Sequence, residues 1–146
     1  MSALTKAIAL TEQLFEELRA HTTDEPGITR AAYGEGEEFA HAVVRRVGRE
    51  LGLTEAVDAA GNLYLTLEGE DPTLPGWIIG SHIDSVPHGG NYDGAAGVLA
   101  GLAVVHALRT EGRRLARNVT VMVIRAEEST WFPVSYLGSR AAFGLL

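Results

Sequence analysis

The sequence predicts an α/β protein: helices layered on a central sheet that is at least partly parallel. Three observations predict it. Segments with helical and strand character follow in the order helix, helix, strand, strand, helix, strand. The β-branched run Val119-Thr120-Val121-Met122-Val123-Ile124 reads as a strand inside a sheet. Polar residues with chemical potential then sit directly after two strand patterns, where α/β folds carry their ligand-bearing loops. No internal repeat and no composition break divides the 146 residues, which suffice for one domain with its own core.

Each element has its own signal. From residue 4 to about 20, Leu4, Ile8, Leu14, Phe15 and Leu18 recur at helical spacing with charges between them. His21 to Gly27 is a polar loop. A second helix covers 35 to 51, with Phe39, Val43, Val44, Val47 and Leu51 on one face and Gly52 placed to end it. Its early glutamates Glu35, Glu37 and Glu38 suit a helix start. Asp58 to Asn62 is turn chemistry. Leu63, Leu65 and Leu67 then alternate with Tyr64 and Thr66 as a half-buried strand. After a loop from Glu68 to Gly76, Trp77 to Gly80 opens a short buried strand. Residues 94 to 111 form a helix that is apolar almost all round, which predicts extensive burial. Arg113 to Asn118 connects it to the β-branched run. The segment Trp131 to Phe143 carries no clear pattern, although Gly138 to Ala142 suits the beginning of another helix.

Composition narrows the functions. A hydrophobic fraction of 46% and a charged fraction of 21% describe a soluble globular chain. The net charge of −7 argues against a nucleic-acid partner. There is no cysteine, which removes disulfides, thiolate ligands and a cysteine nucleophile and fits a reducing, cytoplasmic setting. No signal-peptide pattern opens the chain, and no apolar run of about 18 residues offers a membrane span.

The chemistry concentrates between Gly80 and Gly94, where Gly80-Ser81-His82-Ile83-Asp84 is followed by Gly89-Gly90-Asn91-Tyr92-Asp93-Gly94. Positions 82 and 84 of a strand share a face. Asp84 can therefore accept a hydrogen bond from the His82 ring nitrogen that is not on a metal, which fixes the tautomer. Asp93 stands at a helix start, where its two oxygens could bridge two cations. Taken singly, His82 reads as a satisfied strand-end histidine and Asp93 as a helix cap. Their combination around a Gly-Gly turn favours metal binding. Glu127-Glu128 follows the β-branched strand. One could ligate a metal while the other takes a proton from water, although the pair alone equally suits a solvated acidic loop. His106 reads as structural, His21 and His41 as surface residues, and His88 as a solvated or substrate-facing loop residue.

These segments, together with Gly27-Ile28-Thr29-Arg30, Asp58 to Leu63 and Gly138-Ser139-Arg140-Ala141, resemble a known family across nearly the whole chain. It is the family of metal-dependent amidohydrolases that includes N-carbamoyl-L-amino acid hydrolase, beta-ureidopropionase and allantoate amidohydrolase. The wider clan holds aminoacylases and glutamate carboxypeptidases. The resemblance implies the N-terminal part of a zinc-exopeptidase-like α/β/α sandwich with a mixed, partly parallel sheet. It implies that His82 binds a first metal, Asp93 bridges two, Glu128 binds the second, Glu127 is the general base and Asp84 orients His82. The cofactors would be two divalent ions, zinc or manganese, cobalt or nickel. The reaction would be hydrolysis of a linear amide or ureido bond, with an N-carbamoyl-L-amino acid as the small-molecule substrate.

Two departures qualify this. Where the family pattern continues Glu-Glu-Gly-Ser-Arg-Phe, this chain has Glu127-Glu128-Ser129-Thr130-Trp131-Phe132, with Trp131 in place of the arginine. The sequence also ends at Leu146 before the family's further metal ligands and its dimerisation domain. Residues 1–146 are thus expected to be the N-terminal portion of a catalytic domain, without the dimerisation or lid domain and inactive alone. The parent would be a homodimer, and this portion would self-associate through uncovered apolar surface. The alternatives are an aminoacylase or metallopeptidase of the same clan, and a non-catalytic binding or assembly module.

Overall fold

The computed structural model describes residues 1–146. Helix α1 (Ala3–Thr22) leads into a two-residue hairpin, β1 (Thr23–Asp24) and β2 (Gly27–Ile28). Helix α2 (Glu35–Glu50) follows, then β3 (Thr54–Val57), β4 (Leu63–Leu67), β5 (Trp77–His82), α3 (Ala95–Thr110), β6 (Val119–Ile124) and α4 (Leu137–Ala142). The main sheet has the order β3-β4-β6-β5. β3 pairs β4 and β4 pairs β6 antiparallel, whereas β5 and β6 run parallel through the α3 crossover. The sheet is mixed and partly parallel, as the sequence predicts.

Local chemistry explains the boundaries. The Ser2 hydroxyl accepts the Thr5 backbone N–H and caps α1. Gly52, at φ 66, ends α2 in the left-handed conformation that glycine adopts without strain. On β4, Leu63, Leu65 and Leu67 are buried and the residues between them are half-buried. Leu65 faces Val121 across the β4–β6 ladder, and Val121 faces Ile79 across β6–β5, so all three share one face of the sheet. Gly48 of α2 packs against Leu65, and Gly101 of α3 against Val121 and Ile79. Both helices therefore cover that face, and α1 joins them through Leu14 and Leu18 in the same core. The opposite face carries Ile78, which is exposed, and Tyr64, Thr66, Thr120 and Ile124, which are half-buried, and Thr66 and Thr120 bond to each other at 2.9 Å.

Several expectations change. The predicted buried strand at Trp77 is an edge strand running on to His82, with Trp77 59% and Ile78 64% exposed. It has a hydrogen-bonded neighbour on one side alone. Helix α3 is less buried than its apolar composition predicts, for Val104 faces out beside Leu4 and Ile8 of α1. The polar loop after α1 contains the small hairpin. β3 was invisible because all four of its residues are exposed, leaving no alternation to read.

His41 is the clearest reversal. It is fully buried rather than on the surface, one turn along α2 from buried Glu37, and neither ring nitrogen has a hydrogen-bond partner. Burial, with Arg125 and Arg45 adding repulsion, pushes its pKa down to about 3. The folded protein therefore holds the ring neutral, while the unfolded chain takes a proton near pH 6.5. Stability must fall as the pH drops from about 6.5 toward 3. Replacing His41 with Leu is expected to flatten that decline, measured as unfolding free energy against pH by urea denaturation. An unchanged slope would contradict the assignment.

Candidate metal centre

The C-terminal ends of the parallel pair β5 and β6 lie side by side, with His82 opposite Ile124. Each strand hands its next residues to a loop at this end. Asp84 is fully buried between the two loops. Its carboxylate accepts the backbone N–H of Glu127 at 3.1 Å and of Glu128 at 3.0 Å. The same carboxylate is 3.3 Å from Nδ1 of His82, and the Asp84 carbonyl oxygen is 3.0 Å from that nitrogen. Two acceptors at Nδ1 place the ring proton there and leave Nε2 with its lone pair free. Nε2 faces Oδ1 of Asp93 at 3.8 Å and Oε2 of Glu127 at 3.7 Å.

One ligand atom from each of His82, Asp93 and Glu128 lies within 4.8 Å of the other two. Glu127 flanks the group. The main chain allows this approach because residue 94 is glycine. At φ 64, a Cβ on Gly94 would stand 2.5 Å from the His82 ring. His88 lies outside the group and turns to Asp24, its Nδ1 2.9 Å from the Asp24 carbonyl oxygen.

The electrostatics of these groups would favour a cation among them. Burial works to lower the His82 pKa, but hydrogen bonding and charge from Asp84, with Glu127 behind, raise it. Burial likewise opposes ionisation of Asp84, but the His82 ring and two backbone amides hold it below the ordinary carboxylate range. Glu128 is pushed up by burial and by the negative charges of Glu127 and Asp93. Carboxylates crowded in this way gain from a positive ion among them. One imidazole nitrogen and two carboxylates form an all N/O donor set that suits zinc and other divalent transition metals. The residues present fit such an ion.

A buried scaffold holds the loops in place, and most of it carries no sequence signal. Glu37, fully buried, accepts Arg125 at 2.8 Å, the Tyr33 backbone N–H at 2.6 Å and the Ala126 backbone N–H at 3.3 Å. Glu38 takes the other guanidinium nitrogen of Arg125 at 2.8 Å. Ala126, the residue before Glu127, sits at φ 48, so this buried carboxylate pins a strained turn. Asn62 accepts the Arg125 backbone N–H and donates to Asp58 and to the Gly138 carbonyl. Arg30, also fully buried, donates to the carbonyls of Ile83, Asn91 and Asp93 and to the Asn91 side chain, fixing the path from His82 to Asp93. Burial lowers its pKa to about 10 against the charges of Asp93 and Asp84. Asn62 and Arg30 stand in the family-like segments, but apart from Asp58, four positions from Asn62, their partners are 53 to 76 positions away and no local pattern names them.

The largest cavity, about 460 Å³, lies elsewhere, around Gly52, Thr54, Glu68 and Arg109. Its arginines are engaged in closing the fold, Arg109 donating to the Gly52 carbonyl and Arg114 to that of Gly69.

The scaffold predicts a contrast. Glu37→Ala leaves Arg125 short of a buried partner and two amides unbonded, and is expected to cost about 3–5 kcal/mol. Glu17→Ala removes an exposed pair with Arg46 and is expected to cost less than about 1 kcal/mol. Denaturant unfolding of both variants tests the contrast, and equal losses would contradict it.

Comparison with known proteins places the chain in a family. Residues 62–144, more than half of the chain, match the model of peptidase family M28. An N-carbamoyl-L-amino-acid amidohydrolase of Pseudomonas sp. (strain NS671) is 39% identical over 88% of this chain and 33% of its own length. A ureidoglycolate hydrolase of Arabidopsis thaliana is 36% identical over 82% of this chain and 25% of its own. The crystal structure of a hydantoinase/carbamoylase family amidase from Burkholderia ambifaria superposes with a TM-score of 0.89 at 33% identity, covering 96% of this chain and 35% of that one. The chain thus spans between a quarter and about a third of the length of these relatives. It belongs to peptidase family M28, and the relatives it matches are amidohydrolases of the hydantoinase/carbamoylase type.

Proposed function

We propose that residues 1–146 are the N-terminal portion of the metal-binding catalytic domain of an amidohydrolase that cleaves a linear amide or ureido bond. An N-carbamoyl-L-amino acid is the substrate we favour, giving the amino acid, ammonia and carbon dioxide. The observation that carries the reading is the convergence of His82, Asp93 and Glu128, with Asp84 behind the imidazole and Glu127 beside it. Relatives that act on carbamoyl amino acids and on ureidoglycolate support the bond type.

In this reading His82, Asp93 and Glu128 would hold two divalent ions, with Asp93 as the ligand common to both. The bound ions would polarise the scissile carbonyl and acidify water. Glu127 is the general base, its carboxylate taking a proton from the attacking water and later delivering it to the leaving nitrogen. Asp84 keeps the His82 proton on Nδ1, so that Nε2 stays a donor. Three protein donors shared between two ions fall short of what each ion needs. The portion alone is therefore expected to bind metal weakly or not at all and to be inactive. The match to a peptidase family favours one second reading, a peptidase or aminoacylase, and a substrate panel on a longer protein containing this chain separates the two. A cytoplasmic location belongs to the same proposal and rests on the cysteine-free composition. No helix is long and apolar enough to cross a membrane.

Two outcomes are expected. The 146-residue chain should release no ammonia from N-carbamoyl amino acids in the presence of zinc, manganese or cobalt; measurable turnover would overturn the inactive-portion reading. In a longer, active protein, Glu127→Gln should lower kcat by about 10²–10⁴-fold while metal content by elemental analysis stays unchanged. We further propose that this portion self-associates through the β5 edge and the uncovered sheet face, where Trp77 and Ile78 are exposed, and that the parent is a homodimer. Sedimentation equilibrium should show dimers that Ile78→Lys weakens; a monomer at all concentrations would rule the self-association out.

A further inference from the structure

From Ser129 to Ser135 the chain makes no backbone hydrogen bond. Both ends of this loop are secured. Glu127 and Glu128 donate to Asp84, and Tyr136, Leu137 and Gly138 donate to the carbonyls of Glu127, Ala126 and Arg125. The seven residues between have two anchors. The ring of Phe132 meets that of Tyr33 edge-on, with centroids 5.8 Å apart. The indole N–H of Trp131 donates to the Ser85 carbonyl at 2.8 Å.

Ser85 is a fixed acceptor. It is fully buried, its N–H donates to the Arg30 carbonyl at 2.9 Å, and its hydroxyl accepts the Arg30 N–H at 2.9 Å. It also follows Asp84 directly. The indole bond therefore closes a ring of contacts running from Asp84 through Glu127 and Glu128 to Trp131 and back to Ser85. Something must hold this ring closed. Glu127, Glu128 and Asp93 repel one another, and the exposed loop gives Glu128 an easy route outward into solvent.

We propose that Trp131 is a positioning residue for the candidate centre: its bond to Ser85 holds the Ser129–Ser135 loop down and keeps Glu127 and Glu128 turned toward His82 and Asp93. The consequence for metal affinity rests on the metal reading above; the placement of the two glutamates does not.

Trp131→Phe tests it, since it deletes the indole donor and keeps an aromatic ring. Amide hydrogen exchange of the 146-residue chain without metal should be about fivefold faster at Glu127 and Glu128, as loss of one hydrogen bond implies. Exchange within α1 should not change, which shows that the fold is intact. Cobalt titration by calorimetry should show affinity reduced by a similar factor. Unchanged exchange at Glu127 and Glu128 overturns the proposal. So does faster exchange with unchanged cobalt affinity, since Trp131 would then steady the loop without placing the ligands. If the unsubstituted chain takes up no cobalt, as its incomplete ligand set allows, the exchange result alone decides the role of Trp131.

Discussion

The buried carboxylate of Asp84 is the constraint on which the candidate centre depends. An ionised carboxylate with no access to water costs several kcal/mol unless its oxygens are bonded. Here one group satisfies that demand with a ring nitrogen from the end of β5 and two backbone amides from the end of β6. Each bond lowers the cost of burial and aligns part of the site. Because the acceptors are the two oxygens of one rigid group, the His82 ring and the Glu127–Glu128 backbone cannot move independently. The geometry at Nε2 follows from a contact on the far side of the ring.

Around this carboxylate stand two buried cations with different tasks. Arg125 is paired with Glu37 and Glu38, and Glu37 in turn holds the amide of Ala126 at the left-handed turn before Glu127. Arg30 has no carboxylate in direct contact and bonds only to oxygens of uncharged groups along the 83–93 loop. Arg125 thus fixes where one acidic loop begins, and Arg30 fixes the curve of the other. The division suits a site that must keep several acids close together without neutralising them by direct pairing.

Legibility from the sequence followed the range of the forces involved. The amphipathic spacing of α1 and α2, the Leu63-Leu65-Leu67 alternation and the β-branched run of β6 were all readable, because each reflects burial against a neighbouring layer. His82 and Asp93 were readable from their spacing around a Gly-Gly turn, whereas Glu128 joined them only through the family resemblance. β3 could not be read, since a strand with all residues exposed has no burial pattern to imprint. Trp77 and Ile78 read as interior residues, for hydrophobicity tells nothing about which strand ends a sheet. Glu37 looked like an ordinary acidic helix start and His41 like a surface residue. Their roles come from partners or packing tens of positions away, and Glu37 meets Arg125 across a separation of 88 residues.

The parallel pairing of β5 with β6 carries a consequence for how the protein matures. An antiparallel hairpin would bring neighbouring segments together early and locally. Here His82 and Glu127 meet only after α3 has formed and folded back over the sheet, because a parallel pair needs a full crossover. Contacts of such sequence separation are gathered late and at an entropic cost. The two halves of the cluster, His82 to Asp93 and Glu127 to Glu128, are therefore apart until the core closes. Closure of the core and assembly of the candidate centre thus coincide, and the repulsion between its two acidic halves is met only when the surrounding contacts are in place.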